Sequence, residues 1–180
     1  MSAIPETRTT ERLRFRVPEE GDLDFFHRQF SDPEMCRYFS DPPMNREMAA
    51  QTIEFFSRPQ ADPWIRYVLV HYNSGEPVGT CGYHHYDADR RQVELGYDIW
   101  KDFWSQGYAT EALRELIDVC FEFLAVDIVY VLVHRDNIGS RRTAEKLGFE
   151  VSEPCRPLDE PQQVCMKLSR NAWSANESGR

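Results

Sequence analysis

Two kinds of chemistry are concentrated between residues 84 and 110. The stretch Trp104-Ser105-Gln106-Gly107-Tyr108-Ala109 joins a strand-like run to the best amphipathic helix pattern in the chain. A strand that passes into a helix through a glycine-bearing loop leaves the first-turn backbone N–H groups unpaired and converging, with the positive end of the helix dipole behind them. Phosphate is the natural guest of such a cradle, held on the amides of Ser105 to Thr110. Ten residues before the loop stands Glu94, a carboxylate able to accept a proton, and the preceding run carries His84 and His85, whose imidazoles titrate near neutrality. Alternation along a strand puts one of these two histidines on each face of the sheet.

The elements that must position these groups follow from periodicity. In Gln92 to Trp100, Val93, Leu95, Tyr97 and Ile99 alternate with Glu94, Gly96 and Asp98, which is a strand with Glu94 on the polar side. After the loop, Ala109, Ala112, Leu113, Leu116, Ile117, Cys120 and Leu124 fall at spacings of three and four, the stripe of a helix lying on a sheet. Upstream, residues 1–9 are a polar, aperiodic flexible lead. Leu13 and Phe15 mark a half-buried strand, and Asp22 is placed to cap a helix from Leu23 to Phe30. Glu34 to Pro43 reads as a loop or short helical turn, and Asn45 caps a helix from Arg46 to Ser57 with Ala49, Ile53 and Phe56 at core spacing. Arg58 to Pro63 is a proline-flanked loop. Trp64 to Tyr72 and Glu76 to Tyr86 form a hairpin about Asn73-Ser74-Gly75, with Gly79 and Gly82 marking a bulge or close backbone approach. Downstream, Ile128 to His134 is a buried strand reached by a helical crossover and so parallel to the strand of Glu94. A helix follows with Asn137 near its start and Gly148 as its C-cap, then a strand from Phe149, a turn at Arg156 to Glu160 and a last strand from Gln163 to Leu168. Residues 169–180 read as a flexible tail.

Asn137, Ser140, Glu145, Lys146, Gly148 and Phe149 make the pattern Asn-x-x-Ser-x-x-x-x-Glu-Lys-x-Gly-Phe directly after the strand at 128–134. With it, the chain resembles the GCN5-related N-acetyltransferase (GNAT) superfamily, whose first motif, Gln/Arg-x-x-Gly-x-Gly/Ala, holds the pyrophosphate of acetyl coenzyme A. Gly107 and Ala109 match its last two fixed positions, and Trp104 stands where Gln or Arg is commonest. Thr10 to Arg16 followed by Asp22, Glu94 to Tyr97, and Gly107 to Ala112 are similar to the Rim-type branch, the ribosomal-protein N-terminal acetyltransferases. The resemblance spans roughly residues 10–168. It implies a single α/β (α+β) domain over 10–168, with a mixed, mostly antiparallel central sheet, a splayed parallel pair and helices on both faces. It further implies acetyl coenzyme A as co-substrate and no metal. The pantetheine arm then lies along the backbone of Tyr97, Asp98 and Ile99, with the diphosphate on Trp104, Ser105, Gln106, Gly107, Tyr108, Ala109 and Thr110. Asn137 stands beside the pantetheine and Ser140 beside the sulfur. The early helical pair borders the acceptor cleft, which makes Tyr38, Phe39 and Phe55 wall residues, joined by His84 and His85.

Glu94 is then one strand step from the thioester and serves as base, directly or through a water; the alternative is an orienting or structural carboxylate. Backbone amides near Leu95 to Tyr97 are placed for the oxyanion. Ser140 hydrogen-bonds the nascent thiolate, or else caps its helix. An α-amine, with a pKa of roughly 7.8, costs about 1 kcal/mol to neutralise at pH 7, against about 4.6 kcal/mol for a lysine. A weak base therefore favours a peptide N-terminus. A small-molecule amine, such as a polyamine or aminoglycoside, and a non-catalytic acyl-coenzyme-A sensor are the alternatives.

The 180 residues are one domain's worth. An apolar fraction of 41% marks a globular chain, yet no apolar run approaches the roughly 20 residues that span a bilayer. The first residues lack the basic and apolar segments of a secretion signal, so a cytoplasmic protein is expected. Cys36, Cys81, Cys120, Cys155 and Cys165 are scattered without Cys-x-x-Cys spacing and are expected as reduced, packed thiols. A net charge of -9 disfavours nucleic acid and anionic membrane and suits a cationic acceptor. The expected assembly is a monomer or homodimer.

Overall fold

The computed structural model describes residues 6–58, 64–153 and 161–178. The expectations for residues 1–5, the loop at 59–63, Cys155 and the turn at 156–160 lie outside the described residues.

Thr7–Thr9 forms β1, antiparallel to β2 (Leu13–Arg16), so the last part of the expected flexible lead is an edge strand instead. A tertiary contact holds it: Arg8 Nε lies 2.5 Å from Glu115 of the central helix. In β2, Leu13 and Phe15 are fully buried and Arg14 is exposed, as a period of two requires. Helix α1 (Leu23–Ser31) follows. Asp22 does not cap it through its side chain. Its buried carboxylate accepts from Arg16 at 2.6 and 2.7 Å and from the Glu19 amide at 2.9 Å, because pairing a buried charge outweighs a cap that solvent could replace. In α2 (Arg46–Phe56), Asn45 Oδ1 does accept from the Met48 amide, as expected.

β3 (Ile65–His71) and β4 (Pro77–Asp87) form the expected hairpin. A Cβ on Gly79 would lie 2.3 Å from the Asp98 carbonyl oxygen, and one on Gly82 2.0 Å from that of Ile65, so both neighbours approach the bare backbone. β5 (Gln92–Ile99), α3 (Tyr108–Phe123) and β6 (Ile128–His134) follow in turn. In α4 (Ile138–Lys146), Leu147 is the C-cap, and Gly148, expected in that role, takes the left-handed conformation one residue on. β7 (Glu150–Val151), β8 (Gln163–Ser169) and α5 (Arg170–Ser178) complete the chain.

The strands join in one sheet in the order β1-β2-β3-β4-β5-β6-β8-β7, and only β5 and β6 pair in parallel. Both faces are covered. Along β3, Tyr67 and Leu69 belong to the core under α3, α4 and α5, while Val68 and Val70 face the core formed with α1 and α2. α5 occupies the segment expected as a flexible tail. Trp173 is 5% exposed and donates its indole N–H to Asp118 at 2.7 Å, and Arg170 donates to the carbonyl oxygens of Phe121 and Val126.

Cys81 and Cys120 are buried free thiols, pushed up by burial, and Cys36 is a half-buried one. Cys165 is disulfide-bonded, which overturns the expectation of reduced thiols throughout: spacing in sequence says nothing of which cysteines a fold brings together. Among the described residues no helix is long and apolar enough to cross a membrane.

Candidate active site

The parallel pairing of β5 and β6 runs only from Gln92↔Ile128 to Glu94↔Tyr130. Beyond Glu94 the strands part. β6 continues against β8 as far as His134↔Gln163, and β5 continues against β4 as far as Ile99↔Gly79. Each strand follows its outer neighbour, and the splay opens a cavity of about 590 Å³. One wall is Leu95, Gly96, Tyr97 and Asp98, the other Val131, Leu132, Val133 and His134. Of the expected site residues, Glu94, His84, His85, Tyr97, Asp98, Asn137, Ser140, Tyr38 and Phe39 all line this one space. Ile99 and the loop at 104–110 do not.

Glu94 is 6% exposed and stands directly across from His84 in the β4–β5 ladder. The expectation of one histidine per face fails. His85 adopts φ 50, and the register slips between His84 and Asp87, so the bulge swings the second ring onto the same side as the first. The two Nδ1 atoms are 2.6 Å apart, and Glu94 Oε2 lies 3.3 Å from His85 Nδ1 and 4.0 Å from His84 Nδ1. Trp64 packs on both imidazoles, its ring centroid 6.0 Å from His84 and 6.4 Å from His85.

At the start of α4, Asn137 Oδ1 accepts from the Ser140 amide at 3.1 Å, so Asn137 supplies the helix cap and leaves the Ser140 hydroxyl available for other work. That hydroxyl lies 2.9 Å from the Tyr97 hydroxyl, which also donates to the Ser140 carbonyl oxygen at 3.0 Å. Burial pushes the Tyr97 phenol up to about 12, against the lowering effect of Ser140, so it stays protonated and a donor at neutral pH. Across the cavity, Arg66 donates to Thr80 at 2.7 Å and to Asp98 at 3.0 Å. Arg66 carries no motif in the sequence; the register of β3 against β4 brings it here.

The loop before α3 has the form of an anion site. Ser105 and Gly107 have φ 59 and 86, and among the described residues none accepts a hydrogen bond from the backbone N–H groups of residues 107–110. A Cβ on Gly107 would meet Arg12 Nη2 at 3.4 Å. Arg12 also escaped the sequence reading as a site residue: it donates to the Gln106 carbonyl oxygen at 2.9 Å, pairs with Glu111 at 2.7 Å and covers the Tyr108 ring, bringing a cation to the cradle. Free amides, a helix N-terminus and a nearby guanidinium fit a diphosphate. Trp104 is partly exposed and spends its indole N–H on the Ile99 carbonyl oxygen at 2.6 Å, so it ties the loop to the end of β5. Phe55, expected in the acceptor wall, is 43% exposed and packs on Trp64; Phe56, expected in the core, lines the cavity instead. Ala49 and Ile53 are buried as expected, so the inner face of α2 is as the sequence reads it, and only the two phenylalanines at its end differ from their expected roles.

The acetyltransferase (GNAT) domain family matches residues 12–150. The uncharacterized N-acetyltransferase p20 of Bacillus licheniformis is 31% identical over 150 residues, covering 81% of this chain and 83% of that protein. YdaF of Bacillus subtilis, a provisionally assigned ribosomal N-acetyltransferase, is 36% identical over 75 residues, 42% of this chain and 41% of its own. Among solved structures, spermidine N-acetyltransferase from Vibrio cholerae in complex with CoA and spermine superposes with a TM-score of 0.77 at 17% identity, over 92% of this chain and 99% of that one.

Proposed function

The chain belongs to the GNAT acetyltransferase family, uses acetyl coenzyme A as acyl donor, and from that premise we propose that it acetylates a protein or peptide N-terminal α-amine held in the cavity beside Glu94. As an acyltransferase it is not a mere coenzyme sensor.

The single observation that carries the proposal is the meeting of Glu94 with the mouth of the splayed pair: the last residue of the parallel ladder is the buried carboxylate. Acetyl coenzyme A supplies a thioester activated toward amines. The amides of residues 105–110, with Arg12 beside them, hold its diphosphate; Tyr97, Asp98 and Asn137 border the path of the pantetheine. Glu94 takes the proton from the incoming ammonium, directly or through a water, and leaves a neutral nucleophile. Amides of β5 past Glu94, released from β6 by the splay, face the developing negative charge on oxygen. Ser140 donates to the departing sulfur, its hydroxyl oxygen accepting the Tyr97 proton in place of the Ser140 carbonyl oxygen. The roughly 1 kcal/mol needed to neutralise an α-amine is within reach of such a base, and the Rim-type pattern and the likeness to YdaF support the same class.

A polyamine is the second reading. Tyr38, Phe39, Phe56 and Trp64 together with Asp41, Glu94 and Asp98 line the cavity, a mixture of aromatic faces and carboxylates that suits a multiply charged amine. The Vibrio cholerae neighbour was solved with CoA and spermine. The deciding experiment incubates the protein and acetyl coenzyme A with peptides beginning in Ser, Ala or Asp, with polyamines and with aminoglycosides, and measures acetylated product by mass spectrometry. The highest kcat/KM is expected on a peptide; a polyamine turned over faster than every peptide transfers the assignment to the second reading.

A further inference from the structure

We propose that His84, His85 and Glu94 form a binding site for a divalent transition metal of the zinc class, and that an ion held there takes Glu94 out of proton transfer. The second half rests on the reading of Glu94 as base; the first does not.

The three donor atoms, His84 Nδ1, His85 Nδ1 and Glu94 Oε2, are separated by 2.6, 3.3 and 4.0 Å. A triangle with those sides has a circumscribed circle of radius about 2.0 Å, which matches the zinc–imidazole and zinc–carboxylate bond lengths of about 2.0–2.2 Å. A point inside the triangle is at bonding distance from all three donors, with His84 and Glu94 nearly opposite one another; a tetrahedral ion needs donors about 3.3 Å apart, so the two rings, now in hydrogen-bonding contact, part by less than about 1 Å when the ion replaces that contact. The donor set agrees with the distances: two imidazoles and one carboxylate hold zinc and its first-row neighbours with positions left open.

The fold prepares this arrangement at some expense. His84 and Glu94 are fixed opposite one another by the β4–β5 ladder. His85 reaches the same point only because its backbone sits at φ 50, a left-handed conformation that strains a non-glycine residue. An extended His85 would turn its ring to the other face. Trp64 packs on both imidazoles and limits their rotation. Electrostatics permit a cation here. Arg66, whose guanidinium shares the space over Gly96 with His84 Nε2, is paired with Asp98 at 3.0 Å. His85 is half exposed while Glu94 is buried, so an ion enters from solvent past His85 and meets the carboxylate inside.

The test uses the full chain without a histidine tag, stripped by a chelator. Titration with Zn²⁺ is followed by calorimetry, and with Co²⁺ by the visible absorption of a low-coordinate nitrogen and oxygen site. One equivalent is expected to bind, and His85→Asn and Glu94→Gln are each expected to weaken it by roughly tenfold or more, with thermal melts showing both variants folded. Absence of stoichiometric binding, or unchanged affinity in either folded variant, overturns the site. Acetylated product, measured by mass spectrometry, is expected to fall with the calorimetric midpoint and to return with EDTA; full turnover by zinc-saturated enzyme overturns the inhibitory half. The cobalt spectrum requires no turnover, so failure of the acetyltransfer proposal and failure of the metal site are separate results.

Discussion

Glu94 and Tyr97 sit three residues apart on β5, line the same cavity and carry opposite proposed duties. The carboxylate is an acceptor of protons; the phenol, raised to about 12 by burial, is a donor that does not ionise in the neutral range. Glu94→Gln keeps the shape and removes the base, so kcat is expected to drop about 10²-fold with a smaller change in the acceptor KM. Steady-state kinetics across pH check this, and a variant with full turnover at every pH removes Glu94 from the chemistry. Tyr97→Phe deletes the hydroxyl that orients Ser140. It is expected to cost about 1 kcal/mol, roughly fivefold in kcat, while coenzyme affinity stays within a factor of about two. At this scale the sequence announced the types and missed one orientation. Alternation separated His84 from His85, and the left-handed backbone at His85 reunited them.

The loop of residues 104–107 and the first turn of α3 act as one element. Trp104 ties it to β5, Arg12 to β2, and its amides are left for an anion. Gly107→Val places a β-branched residue at φ 86 and a Cβ at 3.4 Å from Arg12 Nη2. The strain alone is on the order of 1–3 kcal/mol. Titration calorimetry is expected to show the dissociation constant for acetyl coenzyme A raised at least about tenfold; an unchanged constant removes the cradle. This element was legible because its signals are local: a glycine, a preceding strand period and a following helix period. Helix α2 was legible in extent, cap and inner face, with Ala49 and Ile53 buried as expected, but not in the roles of Phe55 and Phe56, which are equally apolar and are told apart only by the neighbouring Trp64 and the cavity.

At the level of the molecule, residues 8–12 and α5 both close on α3. Glu111 receives the Thr10 hydroxyl, the Arg12 amide and the Arg12 guanidinium. Burial raises its carboxyl, but those hydrogen bonds together bring it below the ordinary value of 4.5. A folded-state carboxyl lowered in this way stabilises fully above the unfolded value and loses its contribution as pH falls through the folded one. Glu111→Gln is accordingly expected to cost about 1.5–3 kcal/mol at pH 7 and to make the acid limb of urea stability shallower below about pH 4.5. From the other end, Trp173→Ala is expected to lose about 3–5 kcal/mol in the same urea assay, a cost a frayed tail would not show. The amino-acid sequence by itself determined the order of the strands and helices around the site, the position of the glycine loop before α3, and the choice of Glu94, Ser140 and Asn137 as candidates, which the fold gathers on one cavity. Hydrophobic period, capping residues and turn residues act over a few positions, and a linear reading captures them. Only the tertiary structure decided that β1 and α5 are ordered, that Arg12 and Arg66 reach the site, that Cys165 is disulfide-bonded, and that two histidines converge on one carboxylate. Each of those depends on contacts between residues far apart in the chain or on a backbone conformation that its own residue disfavours, and neither leaves a periodic trace in sequence.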